Sequence, residues 1–133
     1  MKGTYILVIL LPENSKIKIG SLGKISFPKG FYVYVGSAMG TFGSVTLINR
    51  VKRHLSESND KKLHWHIDYL LDDPNSIIVK IYLIPSSQVL ECIIAQEILG
   101  RADDYINNFG SSDCQCKSHL LYFKRFSNFD TLF

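Results

Sequence analysis

The chain has 133 residues, of which 46% are hydrophobic and 20% charged, the length and balance of one globular domain that buries a modest core without staples. Its net charge of +3 is slight; it permits nucleic-acid binding through a local patch without arguing for it. No apolar stretch is long enough to span a bilayer as a helix, which argues against a membrane partner.

The opening "MKGTYILVILLP" ends its apolar run at Pro12 with no small-residue cleavage pattern, so it reads as a first strand rather than a secretory signal. Residues 4–11 are almost continuously apolar, the pattern of a central strand buried on both faces. "KIKIG" (16–20) alternates as a hairpin arm does, and "GKISFPKG" (23–30) has the proline and glycines of an edge segment and turn. "FYVYV" (31–35) is the next strand, with Tyr32 and Tyr34 on one face and Phe31, Val33 and Val35 on the other; it is expected to stop at Gly36-Ser37.

A helix is predicted from an N-cap at Ser44 to about Ser56, with Leu47, Ile48, Val51 and Leu55 as its apolar stripe. Arg50 and His54 share a face bordering that stripe, and Arg53 points further round toward solvent. "KLHWHIDYLLDDP" (62–74) is a short helix or a packed irregular segment stopped by Pro74. A strand follows at 76–85, then a helix at 87–99 ended by Gly100, a Gly/Ser loop at 109–118, and a last strand at 119–126. This order predicts one α+β domain over 1–133: a small antiparallel or mixed central sheet flanked by helices. With three cysteines, which cannot all pair, the chain is expected to be cytoplasmic, its thiols reduced or metal-bound.

Three groups carry candidate chemistry. An arginine at the margin of a core donates paired hydrogen bonds to a phosphodiester, and a histidine one turn later holds a proton near neutral pH; Arg50 and His54 have this spacing, and equally that of a solvated helix face. Glu91 lies in a helix that is apolar nearly all round, so the helix is expected to be buried and the carboxylate to bind a metal or pair with Arg or Lys. Cys114-x-Cys116-x-x-His119 offers soft donors for a structural Zn²⁺, or buried thiols in a polar loop; the usual zinc knuckle spaces its cysteines more widely. In "HWH", His64 shares a helical face with Asp68, or a strand face with His66.

"GTY" (3–5), "YVGSA" (34–38) and "LINRVKRHL" (47–55) together resemble the GIY-YIG nuclease superfamily. "RHL", "HWHIDYLL" and "FGSSDCQCKSHL" extend the likeness, over nearly the whole chain, to a small branch of it. The resemblance implies that fold with a hairpin inserted between the two tyrosine strands, and a DNA endonuclease using one Mg²⁺ or Mn²⁺. It implies Tyr5 and Tyr34 as the paired motif tyrosines, Arg50 on the phosphate, His54 beside it, and Glu91 (in reserve Glu97) on the metal. Gly36 would admit the backbone of the substrate. Ser37, Lys52, Arg53 and one of His64 and His66 would line the cleft. Without a separate DNA-reading domain, sequence choice would fall to a DNA-reading or repair partner. The rival readings are a non-catalytic nucleic-acid-binding module of the same fold and a small-nucleotide phosphoesterase.

Overall fold

The computed structural model describes residues 1–56, 63, 65–111 and 116–129. Among them the chain forms β1 (Gly3–Leu11), β2 (Ser15–Lys18), β3 (Lys24–Phe27), β4 (Gly30–Ala38), α1 (Leu47–Leu55), α2 (His66–Asp72), β5 (Ile77–Pro85), α3 (Glu91–Leu99), β6 (Asp104–Tyr105) and β7 (Leu120–Phe123). Five strands make one antiparallel sheet in the order β5-β1-β4-β7-β6, and β2 and β3 form a separate hairpin. This is the α+β class expected, with the hairpin inserted between the first two long strands. None of the helices is long and apolar enough to cross a membrane, among the described residues.

The sheet divides the core in two because successive side chains of a strand point to opposite faces. Tyr5, Leu7, Ile9 and Leu11 of β1 join Tyr32 and Tyr34 of β4 on one face, under α1, α2 and the hairpin residues Ile17 and Phe27. Ile6, Val8, Val33 and Val35 line the other face with Ala95 and Ile98 of α3. The continuous apolar run of β1 is thus explained: both of its faces are covered.

The structure corrects several boundaries. β4 does not stop at Gly36-Ser37; it continues to Ala38, and Gly36 lies opposite Tyr5 within the ladder. The N-cap of α1 is Thr46, whose Oγ1 accepts from the Asn49 N–H, whereas Ser44 falls in a preceding 3₁₀ turn. Leu47, Val51 and His54 form the buried face of α1, while Ile48 and Leu55 are exposed. The helix 87–99 begins only at Glu91, since Ser86 Oγ accepts the Gln88 N–H and holds that stretch in a turn. Nor is α3 buried all round: Val89, just before it, and Ile93 are about two-thirds exposed, at 63% and 66%. Gly100 follows the helix in ordinary right-handed backbone. β6, two residues long, had no signal in the sequence, and the last strand is shorter than 119–126 because Lys124 N–H turns to the Asp103 carboxylate.

Candidate functional site

Cross-strand register builds the site. Tyr5 faces Gly36, and Leu7 faces Tyr34, so the two tyrosines are diagonal neighbours on one sheet face, with ring centroids 6.2 Å apart. Gly36 leaves the surface open for the Tyr5 ring: a β-carbon there would lie 2.4 Å from Tyr5 Cζ and 2.5 Å from its hydroxyl. The space expected to admit a phosphate therefore holds a tyrosine. Tyr34, expected at an open lip, is only 8% exposed.

α1 lays its buried face on this pair. The Tyr5 hydroxyl and His54 Nε2 are 2.7 Å apart, a hydrogen bond in a site where both residues are almost wholly enclosed. That bond explains how a histidine occupies a position at which periodicity would place an apolar residue: a buried polar group is tolerated when paired. Four residues earlier, Arg50 is half-buried, and its Nη1 donates to the Ser37 carbonyl at the end of β4 at 3.4 Å. Tyr5, Tyr34 and His54 thus pack together, with Arg50 one turn of α1 away. Burial raises the pKa of the Tyr5 hydroxyl well above that of a free phenol, Arg50 pulling it back and Glu91 and Asp68 pushing it further. Tyr34 is raised in the same way, first by burial and then by Tyr5, Glu91 and Asp68. Both rings are neutral phenols at neutral pH.

Arg53 is not the solvent-facing cation expected. It makes a fork-like pair with the carboxylate of Asp68, at 2.7 and 3.1 Å, and the Asp68 side chain is fully buried. The second Asp68 oxygen also accepts the Trp65 N–H at 2.8 Å, capping α2. Arg50 and Arg53 both stack on the Trp65 ring, their guanidinium carbons 4.4 and 4.7 Å from its centre. Of Arg50, Lys52, Arg53 and His54, only Lys52 is exposed. Neither Trp65 nor the partnership of Asp68 with Arg53 was foreseen.

The remaining candidates separate. Glu91, at the first turn of α3, keeps about a quarter of its side chain in solvent, and its Oε2 is 3.9 Å from His119 Nδ1. Its charge pushes the pKa of both tyrosines further up, after burial. Glu97, the reserve, instead lines an apolar cavity of about 450 Å³ with Ile6, Tyr82, Ile93 and Phe129, on the opposite side of the sheet. His66 accepts the Gly110 N–H on Nδ1 at 2.8 Å, an interaction open only to its neutral form, and burial lowers its pKa. Gly110 needs its positive φ of 70°, and a β-carbon there would press on both Tyr34 and His119 at 3.3 Å. His64 and Cys114 lie outside the described residues.

Cys116 and His119 lie together, and among the described residues the sulfur that meets them is Cys92 on α3. Cys92 and Cys116 are placed as a disulfide pair with Cα atoms 5.9 Å apart, and Cys92 Sγ is 3.5 Å from His119 Nε2. The odd count of cysteines, with Cys92 directly after the candidate metal carboxylate, was the available signal.

Fold and site together define a small α+β domain in which two strand tyrosines and a histidine and an arginine of one helix share one sheet face. The chain belongs to the family described as Domain of unknown function DUF123, which matches residues 4–132. No curated protein and no solved structure matches it.

Proposed function

We propose that this protein is a nuclease of the GIY-YIG type, hydrolysing phosphodiester bonds in DNA with the help of Mg²⁺ or Mn²⁺. The observation that carries the reading is the Tyr5–His54 hydrogen bond of 2.7 Å, packed beside Tyr34 and flanked by Arg50. It joins residues of β1, β4 and α1 that serve no common purpose in a mere core, where an aliphatic side chain at position 54 would pack more cheaply.

Arg50 would bind the scissile phosphate. Its stacking on Trp65 fixes the guanidinium plane, and such a plane presents five N–H donors, of which the Ser37 carbonyl takes one. Tyr5, held neutral by burial, hands on a proton rather than acting as a phenolate; His54 is the group that receives it. In hydrolysis the attacking water loses that proton, its oxygen bonds to phosphorus, and the P–O bond to the leaving oxygen breaks. Tyr34 orients the water by its hydroxyl. A single carboxylate with about a quarter of its side chain in solvent suits a hard cation that keeps most of its own water shell, so Glu91 fits Mg²⁺ or Mn²⁺. When bound, that cation would stabilise charge on the leaving oxygen. Phosphate contacts from Arg50 and Lys52 carry no sequence information, which supports weak sequence choice and a DNA-reading or repair partner.

Plasmid nicking tests the proposal. The full chain should convert supercoiled DNA to open circles only with Mg²⁺ or Mn²⁺, and Glu91→Ala should lower the rate by about 10²-fold or more. Absence of nicking by folded protein with either cation would refute it. Salt-sensitive duplex binding would then leave a nucleic-acid-binding module, and cleavage of small diesters alone a nucleotide phosphoesterase.

A further inference from the structure

We propose that Cys92, Cys116 and His119 form a zinc site, with Glu91 supporting the histidine from outside the coordination shell. The ligand atoms of the three residues all lie within 4.8 Å of one another. They come from two places in the fold: Cys92 from the first turn of α3, and Cys116 and His119 from the segment leading into β7. Two thiolates and an imidazole are a zinc donor set, with a fourth position for water.

In the oxidised arrangement the two sulfurs pair as a disulfide, and the separation of Cys92 from His119 already suits a shared cation in the reduced one. Zinc at about 2.3 Å from sulfur and 2.05 Å from nitrogen, at a tetrahedral angle, sets those two atoms about 3.5 Å apart. Cys92 Sγ and His119 Nε2 are 3.5 Å apart. The two sulfurs would open to about 3.8 Å around the ion, within reach of side-chain rotation from Cα atoms separated by 5.9 Å. A disulfide needs no imidazole beside it, yet His119 is 98% buried there with its other nitrogen turned to the Glu91 carboxylate at 3.9 Å. Metal-bound histidines commonly donate their second N–H to a carboxylate, which fixes the ring and raises its basicity. The convergence that lets the sulfurs bond to each other when oxidised lets them share a cation when reduced. Binding then releases the two thiol protons and joins α3 to β7 through the metal.

The site borders the hydrolytic one through Glu91, and its test reads metal binding and needs no nuclease activity. The full chain, stripped of metal and kept reduced, would be titrated with Zn²⁺ against a chromophoric chelator, and with Co²⁺ for its thiolate-to-metal charge-transfer absorption. One equivalent should bind, two of the three thiols should become protected from alkylation, and the Tm should rise. Cys92→Ser and Cys116→Ser should each weaken binding by 10²-fold or more, Glu91→Gln by about 10–100-fold, and Cys114→Ser should leave it unchanged. The proposal is overturned if the reduced chain binds no Zn²⁺, or if Cys114→Ser abolishes binding that Cys92→Ser keeps. Should Cys92→Ser fail to fold, Glu91→Gln and Cys114→Ser decide: loss in the first and retention in the second support the site, and the reverse sinks it.

Discussion

Replacing Gly36 with alanine tests the tightest contact in the site. The added β-carbon would sit 2.4 Å from Tyr5 Cζ and 2.5 Å from its oxygen, where carbon contacts need 3.4 Å or more, so the ring must withdraw by roughly 1 Å. Tyr5 is 2% exposed and lies against the rings of Tyr34 and His54, so little space exists for that movement. Overpacking of this kind costs about 1–3 kcal/mol, and stretching the buried Tyr5–His54 bond adds about 1 kcal/mol. A loss of about 2–4 kcal/mol follows, which for a domain of this size lowers Tm by roughly 10 °C. Urea unfolding followed by circular dichroism measures it. The causal claim is checked by a double-mutant cycle, because in a Tyr5→Ala background the same change at Gly36 should cost under about 1 kcal/mol. A Gly36→Ala protein within about 0.5 kcal/mol of wild type, or an equal loss in both backgrounds, would refute the reasoning.

Arg53→Ala should destabilise the fold by about 2–4 kcal/mol, since it strips the bidentate partner from fully buried Asp68, whereas Lys52→Ala should stay within about 0.5 kcal/mol; chemical denaturation distinguishes them. Tyr5→Phe should cost only about 1 kcal/mol by the same measurement, yet slow nicking per folded molecule by about 10²-fold. His66 has a folded pKa below its ordinary 6.5, so its contribution is complete above pH 6.5 and is lost as pH falls toward the folded value, because the unfolded chain takes up the proton first. The urea midpoint should fall between pH 7.5 and 5.5, and His66→Asn should flatten that fall.

Long elements were legible because their patterns were unbroken. The apolar run of β1 marks a strand covered on both faces, and the alternation in β4 sets Tyr32 and Tyr34 on one side; that Tyr5 shares that side follows from its register opposite Gly36, which neither pattern encodes. Ser44 and Thr46 are both good caps, so local preference could not choose between them; the Asn49 N–H does. Hydropathy gave Ile48 and Leu55 to the core of α1 and left out His54, because the pairing that makes a histidine welcome there comes from a strand 49 positions away. Likewise, Arg53 meets Asp68 across 15 positions and Cys92 meets Cys116 across 24, separations that no local spacing encodes. The apolar character of α3 was read correctly, but composition does not tell which sides a neighbour covers.

The two guanidinium groups resting on Trp65 have an optical consequence. The chain has a single tryptophan, so its emission comes from the ring on which Arg50 lies. Indole fluorescence shifts with the electric field across the ring, and two cations within 5 Å of its centre set that field. A ligand that draws Arg50 toward a phosphate would change this emission without any attached dye. The native protein thus carries its own gauge of occupancy at the arginine, readable in a stopped-flow instrument from the first milliseconds of mixing.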